Sequence, residues 1–396
     1  MQFSVKQTAD PQKAIAESAN PMIRLLTVPR RAQPEPQADV TAAWQECKPE
    51  SVADFSAVGY FFGRDLQQAL KVPVGLINTS YGGTPAEAWT SSAGLKTRPE
   101  FKSILDNYAS ALHTYPQALE KHKQALEKHA QAVAEARKTG AALPRPPAAP
   151  MGPEHPHSPS GLYNAMIHPL LPFGIRGAIW YQGESNAGRA YQYRTLFPAM
   201  IADWRQSWGQ GDFPFLFVQL APFMKKVDEP GDSSWAELRE AQLLTTQTSP
   251  NTAMAVITDV GEEDDIHPKK KAPVGGRLAL AARALAYGES IEYSGPVYKE
   301  QQSDGERIIL SFSHANGLTA KDGDLRGFAI AGADGKFVNA DARIDGDRVI
   351  VSSAKVAKPV AVRYGWANYA LGNLWNAAGL PASPFRTDDF RLTTQN

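Results

Sequence analysis

The sequence predicts an α/β fold in three layers, a parallel sheet with helices on both faces, followed by a small all-β domain. Two observations lead there. Between about residues 51 and 288, apolar runs of strand length alternate with segments of helical periodicity. That alternation implies right-handed crossovers and a parallel sheet. After Glu289 no long helical pattern remains, and short β-rich runs are separated by Asp-Gly turns, the pattern of a small sandwich. The expected domains are 1–288, with a helical and Pro-rich insertion at 115–159, and 289–396.

The elements follow in order. The opening residues read as polar, with no starting strand. A helix is expected over 51–70, capped by Ser51, with Val52, Phe55, Val58, Phe62 and Leu66 at helical spacing. Residues 71–80 read as a strand that stops at Tyr81-Gly82-Gly83-Thr84-Pro85. Residues 115–140 repeat Ala-Leu-Glu-Lys-His at a seven-residue step, with Leu119, Leu126 and Val133 on one side. This is an amphipathic helix, an excursion from the main domain, whose His122 and His129 belong to a solvated face. The Pro-rich stretch 143–159 cannot be regular helix, and its His155 and His157 read as exposed. Strands at 175–181, 213–220 and 253–257 then alternate with helices at 191–208, at 235–246 and at one closing on Gly288, a residue suited to a C-cap. In the last part, 308–312, 328–330, 348–351 and 360–363 are strands. Asp322-Gly323, Asp334-Gly335 and Asp345-Gly346 are turns.

Composition narrows the function classes. The 396 residues are 43% hydrophobic and 21% charged, as in a soluble globular protein. Lys plus Arg and Asp plus Glu number 41 each, which argues against electrostatic binding of nucleic acid or anionic membrane. No apolar run reaches transmembrane length, and the first thirty residues show no charged-then-apolar signal pattern. Cys47 is the sole cysteine, so no intrachain disulfide and no Cys-based zinc site is expected. It reads as an inert packed thiol.

In an open parallel sheet, sites form outside the carboxyl ends of the strands. Three loops leave such ends with polar groups: Tyr81-Gly82-Gly83-Thr84, Gln182-Gly183-Glu184-Ser185-Asn186, and Asp264-Asp265-Ile266-His267. A carboxylate three residues before a loop histidine can hold Nδ1–H and leave Nε2 free as a base. Asp264 fits that spacing, and Asp265 is a rival. Glycines at a strand end present bare backbone N–H groups, and Gln182 adds an amide donor. Together Gly82, Gly83 and Gln182 form a candidate oxyanion hole. Trp89, Trp180 and Trp366 are alternatively stacking faces for sugar rings, in a binding protein without catalysis.

These blocks resemble the sialate O-acetylesterase family, a branch of the SGNH hydrolases. Val74 to Trp89 is similar to its second block, Trp180 to Ala187 to its third, and Asp264-Asp265-Ile266-His267-Pro268 to its histidine block. Arg363 to Asn368 and Gly379 to Thr387 are similar to its C-terminal segment. The resemblance implies an SGNH-type three-layer fold. It also implies removal of acetyl groups from sugar hydroxyls by an acyl-serine route without a cofactor or metal, on acetylated sialic acid or a plant polysaccharide such as xylan. It makes His267 the base, Asp264 its orienter, and Gly82, Gly83 and Gln182 the oxyanion donors, with Gln182 where many relatives have asparagine. Glu184 and Asn186 support the Gln182 loop.

One block departs from the pattern. The family's nucleophile lies in a Gly-Gln-Ser-Asn-Met block at the end of the first sheet strand. Met1-Gln2-Phe3 resembles that methionine and the two residues after it. The serine is therefore expected two residues ahead of Met1, with its strand earlier still. Ser4, Ser80 and Ser185 are poor replacements by position. A sheet without that strand is expected to expose apolar surface.

Overall fold

The computed structural model describes residues 2–395. The chain begins with helix α1 (Pro11–Ala16) and strand β1 (Asn20–Thr27), a strand that the sequence reading did not anticipate. Pro21 and Arg24 interrupt its apolar alternation. Even so, Ile23 and Leu25 are buried in one cluster with Phe61 and Leu76. Strand β2 (Gln45–Cys47) and helices α2 (Pro49–Val52) and α3 (Ala57–Leu70) follow. The single helix expected over 51–70 is thus broken at 53–56. Ser56, not Ser51, caps the long piece, accepting the Gly59 N–H at 3.2 Å, which satisfies one orphan donor of the first turn. Strand β3 (Val74–Asn78) pairs parallel with β1, from Ile23 opposite Val74 to Thr27 opposite Asn78.

After the short α4 (Ser92–Leu95), helix α5 (Lys102–Thr139) is longer than the periodicity suggested. Its covered line is broader than expected. Leu119 and Val133 are half-buried while Leu126 is exposed, and Tyr115, His122 and His129 are half-buried and Ala136 buried at the seven-residue step beside them. The Pro-rich return segment lies along that line. The Tyr115 ring occupies the space a side chain at Gly152 would need, and His129 Nε2 is 3.1 Å from the Pro144 carbonyl. Those two histidines therefore do not form a solvated face. His155 and His157 are also half-buried, packed edge to face with centroids 5.1 Å apart, and burial lowers the pKa of His155. No helix among the described residues is long and apolar enough to cross a membrane.

The parallel sheet continues with β4 (Ala178–Trp180), β5 (Phe215–Val218) and β6 (Thr252–Ala255). These alternate with α6 (Ala190–Trp208), α7 (Ser234–Thr248) and α8 (Ala272–Tyr287), close to the expected positions. Strand β5 shows the layering. Phe215 and Phe217 pack in the cluster of Phe197 and Leu238, from α6 and α7. Leu216 and Val218 pack with Val58, Val274 and Leu278, from α3 and α8. Alternate side chains thus feed opposite layers, as the pleat requires. The sheet is in two pieces, β2-β1-β3 and β4-β5-β6. A cleft of about 510 Å³ lies between them, with Gly75 and Ile77 on one side, Ala178 and Ile179 on the other, and Val58 and Leu278 beneath.

The C-terminal part is antiparallel. It contains β7 (Val297–Asp304), β8 (Arg307–Ser313), β9 (Thr319–Ala320), β10 (Phe328–Ala331), β11 (Val338–Asn339), β12 (Asp341–Asp345), β13 (Arg348–Ser352), β14 (Ala361–Tyr364), β15 (Leu374–Trp375) and β16 (Phe385–Arg386). Sheets of order β12-β13-β8-β7 and β11-β10-β14-β16 share a core that includes Leu310, Val349, Ile330 and Phe385. Arg239 of α7 ties this part to the parallel sheet. It is fully buried without a carboxylate and donates instead to the carbonyls of Leu220, Ala221, Ala367 and Asn368.

Candidate active site

Two of the three predicted loops are bolted together. Gly82 and Gly83 follow β3, and Gln182 follows β4. Ser185 Oγ donates to the Gly83 carbonyl at 2.9 Å, and the Ala86 N–H donates to Asn186 Oδ1 at 2.9 Å. Asn186 is buried, and its Nδ2 donates to Glu87 at 3.0 Å. Glu87 in turn holds Arg189 at 2.5 Å. Asn186 thus joins the two loops through its side chain. Glu87 is a support that the sequence reading passed over, although it lies inside the block that carried the resemblance. Its signal was weak because a lone glutamate beside alanines reads as surface.

Gly183 explains its own residue type. A Cβ there would lie 2.4 Å from Leu238 Cδ2 and 3.3 Å from Gln242 Nε2, so only glycine lets the loop press onto α7.

The amide of Gln182 is already occupied. Its Nε2 donates to Asn186 Oδ1 at 2.6 Å and to the Thr84 carbonyl at 3.2 Å, while Tyr193 OH donates to its Oε1 at 3.0 Å. In this arrangement Gln182 is the clamp between two loops, and neither of its protons is left for an oxyanion. The Gly82 N–H is placed differently. It is exposed and donates to Gln2 Oε1 at 2.6 Å, so a carbonyl-type oxygen already sits against it. Gly83 adopts φ of 75°, the left-handed region where glycine carries no Cβ penalty.

The third loop is fixed at its base and open at its tip. Arg277 of α8 grips Asp259 with two bonds of 2.6 and 2.8 Å. Glu262 Oε1 accepts the Lys269 N–H at 2.9 Å, closing the loop across its neck. His267 is exposed at the tip. The carboxylate that reaches it is Asp265, not Asp264. Asp265 Oδ1 accepts the His267 main-chain N–H at 2.8 Å and stands 3.9 Å from Nδ1. Asp264 is exposed, and among the described residues it forms no hydrogen bond or ion pair with the ring. The two-residue spacing explains this, because an Asp side chain readily bonds the backbone N–H two residues on.

Charge links the loops. Burial raises the Glu184 pKa, opposed by its own backbone N–H and by the nearby charges of His267 and Lys271. Lys271 is 1% exposed with its Nζ unbonded, lying over the rings of Phe3 and Tyr181. Burial pushes its pKa down to about 8.

Among the described residues, none of Ser4, Ser80 and Ser185 hydrogen-bonds His267. Ser4 Oγ donates to Gln7, Ser80 Oγ to Asn78 and Ser185 Oγ to Gly83. Nor are the three tryptophans free faces. Trp89, Trp180 and Trp366 are at most 8% exposed. Trp89 and Trp180 pack edge to face, and Arg363 and Arg386 lie over Trp366. Core packing has claimed them, so the alternative use as stacking faces is not available.

Residues 155–284 match the family described as "Carbohydrate esterase, sialic acid-specific acetylesterase". The sialate O-acetylesterase of Rattus norvegicus is 30% identical over 97% of this chain and 75% of its own length. That of Homo sapiens is 30% identical over 97% of this chain and 72% of its own. A solved carbohydrate acetylesterase from Xanthomonas citri is 40% identical. It superposes with a TM-score of 0.81 over 98% of this chain and 78% of that one.

Proposed function

The chain belongs to the sialate O-acetylesterase family, and we propose that it removes acetyl groups from sugar hydroxyls with His267 as the base of a serine mechanism. It is a carboxylic ester hydrolase by kinship, and its substrate class is acetylated carbohydrate. The observation that supports the reading most is the exposed Gly82 N–H, whose partner is the flexible Gln2 side chain, which a substrate oxygen can displace, on a loop that Gln182 and Asn186 hold in place. Such a donor can hold the oxyanion of a tetrahedral intermediate, and losing one typically costs about 3 kcal/mol of barrier.

In this reading His267 Nε2 takes the proton of the serine as it attacks the acetyl carbonyl. Gly82 and Gly83 hold the developing negative charge. His267 then returns the proton to the departing sugar hydroxyl, and water releases acetate from the acyl-serine by the reverse use of the same base. Asp265 steadies the histidine, while Gln182, Glu184, Asn186 and Glu87 hold the oxyanion loop in shape. The serine of this reading is that of the Gly-Gln-Ser-Asn-Met block, whose last residue Met1 resembles. Within the family the sugar is proposed to be O-acetylated sialic acid, with acetylxylan as the comparison substrate.

The test uses p-nitrophenyl acetate and a form of the chain preceded by Gly-Gln-Ser-Asn. His267→Ala should lower turnover by at least about a thousandfold. Asp265→Asn should cost more than Asp264→Asn. Turnover that survives the His267 change rejects the base.

A further inference from the structure

A second cavity, lined by none of the glycine-loop residues, suggests how a sugar chain is held. A groove of about 650 Å³ runs between the segment 227–232, which follows β5, and the sheet face bearing β10, β11 and β14. That size is within the range of ligand pockets, which favour junctions between folded parts. Its walls carry three kinds of group. Phe337 and Phe390 are half-buried rings set edge to face, with centroids 6.2 Å apart. Arg326 and Arg391 are exposed, and their guanidinium groups donate to main-chain carbonyls, those of Asp322 and Gln395. Asp228 and Asp232 face them from the opposite wall, and neither forms an ion pair among the described residues.

Donors and acceptors that share a cavity without pairing to each other suit a ligand that offers both along its length. A chain of sugar hydroxyls does so, and its C–H faces suit the rings. The groove is also built to keep its shape. Asn339 Nδ2 donates to the Asp228 carbonyl at 2.8 Å, bridging the two walls. One end leads toward the histidine loop: Tyr369, which lines the groove, donates through its hydroxyl to the Gly261 carbonyl at 3.1 Å. Lys226, next to the groove segment, pairs with Glu263 at 2.7 Å.

We propose that this groove binds unacetylated sugar residues of an oligosaccharide whose acetylated residue lies at His267. The proposal rests on the carbohydrate esterase reading and is tested apart from it. Xylohexaose and 3′-sialyllactose, neither carrying an acetyl ester, are titrated into the chain by calorimetry and saturation-transfer NMR. At least one should bind, with Kd raised at least fivefold by Phe390→Ala and by Arg326→Ala combined with Asp228→Ala. Melting temperatures of the variants confirm folding. His267→Ala should leave that binding unchanged. If neither sugar binds, if binding is indifferent to the groove variants, or if it is lost with His267→Ala, the proposal is overturned. Because no ester is cleaved in this experiment, its failure is distinct from failure of the hydrolase reading.

Discussion

Lys271 shows what a single residue can cost. An ammonium in an apolar site, with no hydrogen-bond partner, is disfavoured against water. Its pKa of about 8 lies below the ordinary 10.5. The folded chain therefore holds fewer protons than the unfolded one between those values. Stability rises with pH across that window, and the full penalty stands below about 8. The shift corresponds to about 3 kcal/mol. Lys271→Met should raise the melting temperature at pH 7, and the gain over the native chain should fade as pH passes 10.5. A gain that does not change with pH would mean that packing, not charge, is responsible. Residue-scale detail also decided the site. The sequence pointed to Asp264 with Asp265 as a rival, and the turn geometry instead bonds Asp265 to the His267 main-chain N–H, 3.9 Å from its ring.

At the scale of elements, the pairing of α3 with α8 depends on close approach. A Cβ at Gly275 would stand 2.6 Å from both Phe61 Cβ and the Phe62 main-chain nitrogen. Backbone cannot swing aside as a side-chain tip can, so the two helices must separate if the glycine is replaced. Gly275→Ala should destabilise the fold by about 2 kcal/mol or more, the scale of overpacking, as measured by urea denaturation. A neutral result would show that the helices already have slack. The elements that were legible in the sequence were those with uninterrupted periodicity, α6, α7, α8 and β5. Strand β1 was not, because Pro21 and Arg24 mask a strand whose burial is set by α3 across the chain. The start of α3 was misplaced for a similar reason. Ser51 was the expected cap, and the turn at 53–56 gives that place to Ser56.

At the scale of the molecule, the cleft between β3 and β4 separates the two pieces of one parallel sheet. Strands in such sheets are ordinarily covered on both faces and paired on both edges. A strand lying there would meet Ile77, Ile179, Val58 and Leu278 and satisfy backbone groups on both sides. We expect a form extended ahead of Met1 by a segment able to pair in this cleft to melt several degrees higher. Slower amide exchange in β3 and β4 should accompany that rise. Equal melting temperatures for the two forms would refute it. Arg239, by contrast, already joins the parallel and antiparallel parts through four carbonyls, a joint that no local pattern announces.

The sequence by itself determined the layer order, the switch from parallel to antiparallel structure after residue 288, and the three loops that carry polar groups at strand ends. These follow from periodicity and turn chemistry, which are local. Only the tertiary structure decided that Gln182 is a clamp, that Asp265 reaches His267, and that three tryptophans are core. It also decided that an oxygen sits against the Gly82 N–H. Each of those depends on residues distant in sequence competing for the same hydrogen bonds or the same buried space, and the contest is settled only when the chain is folded.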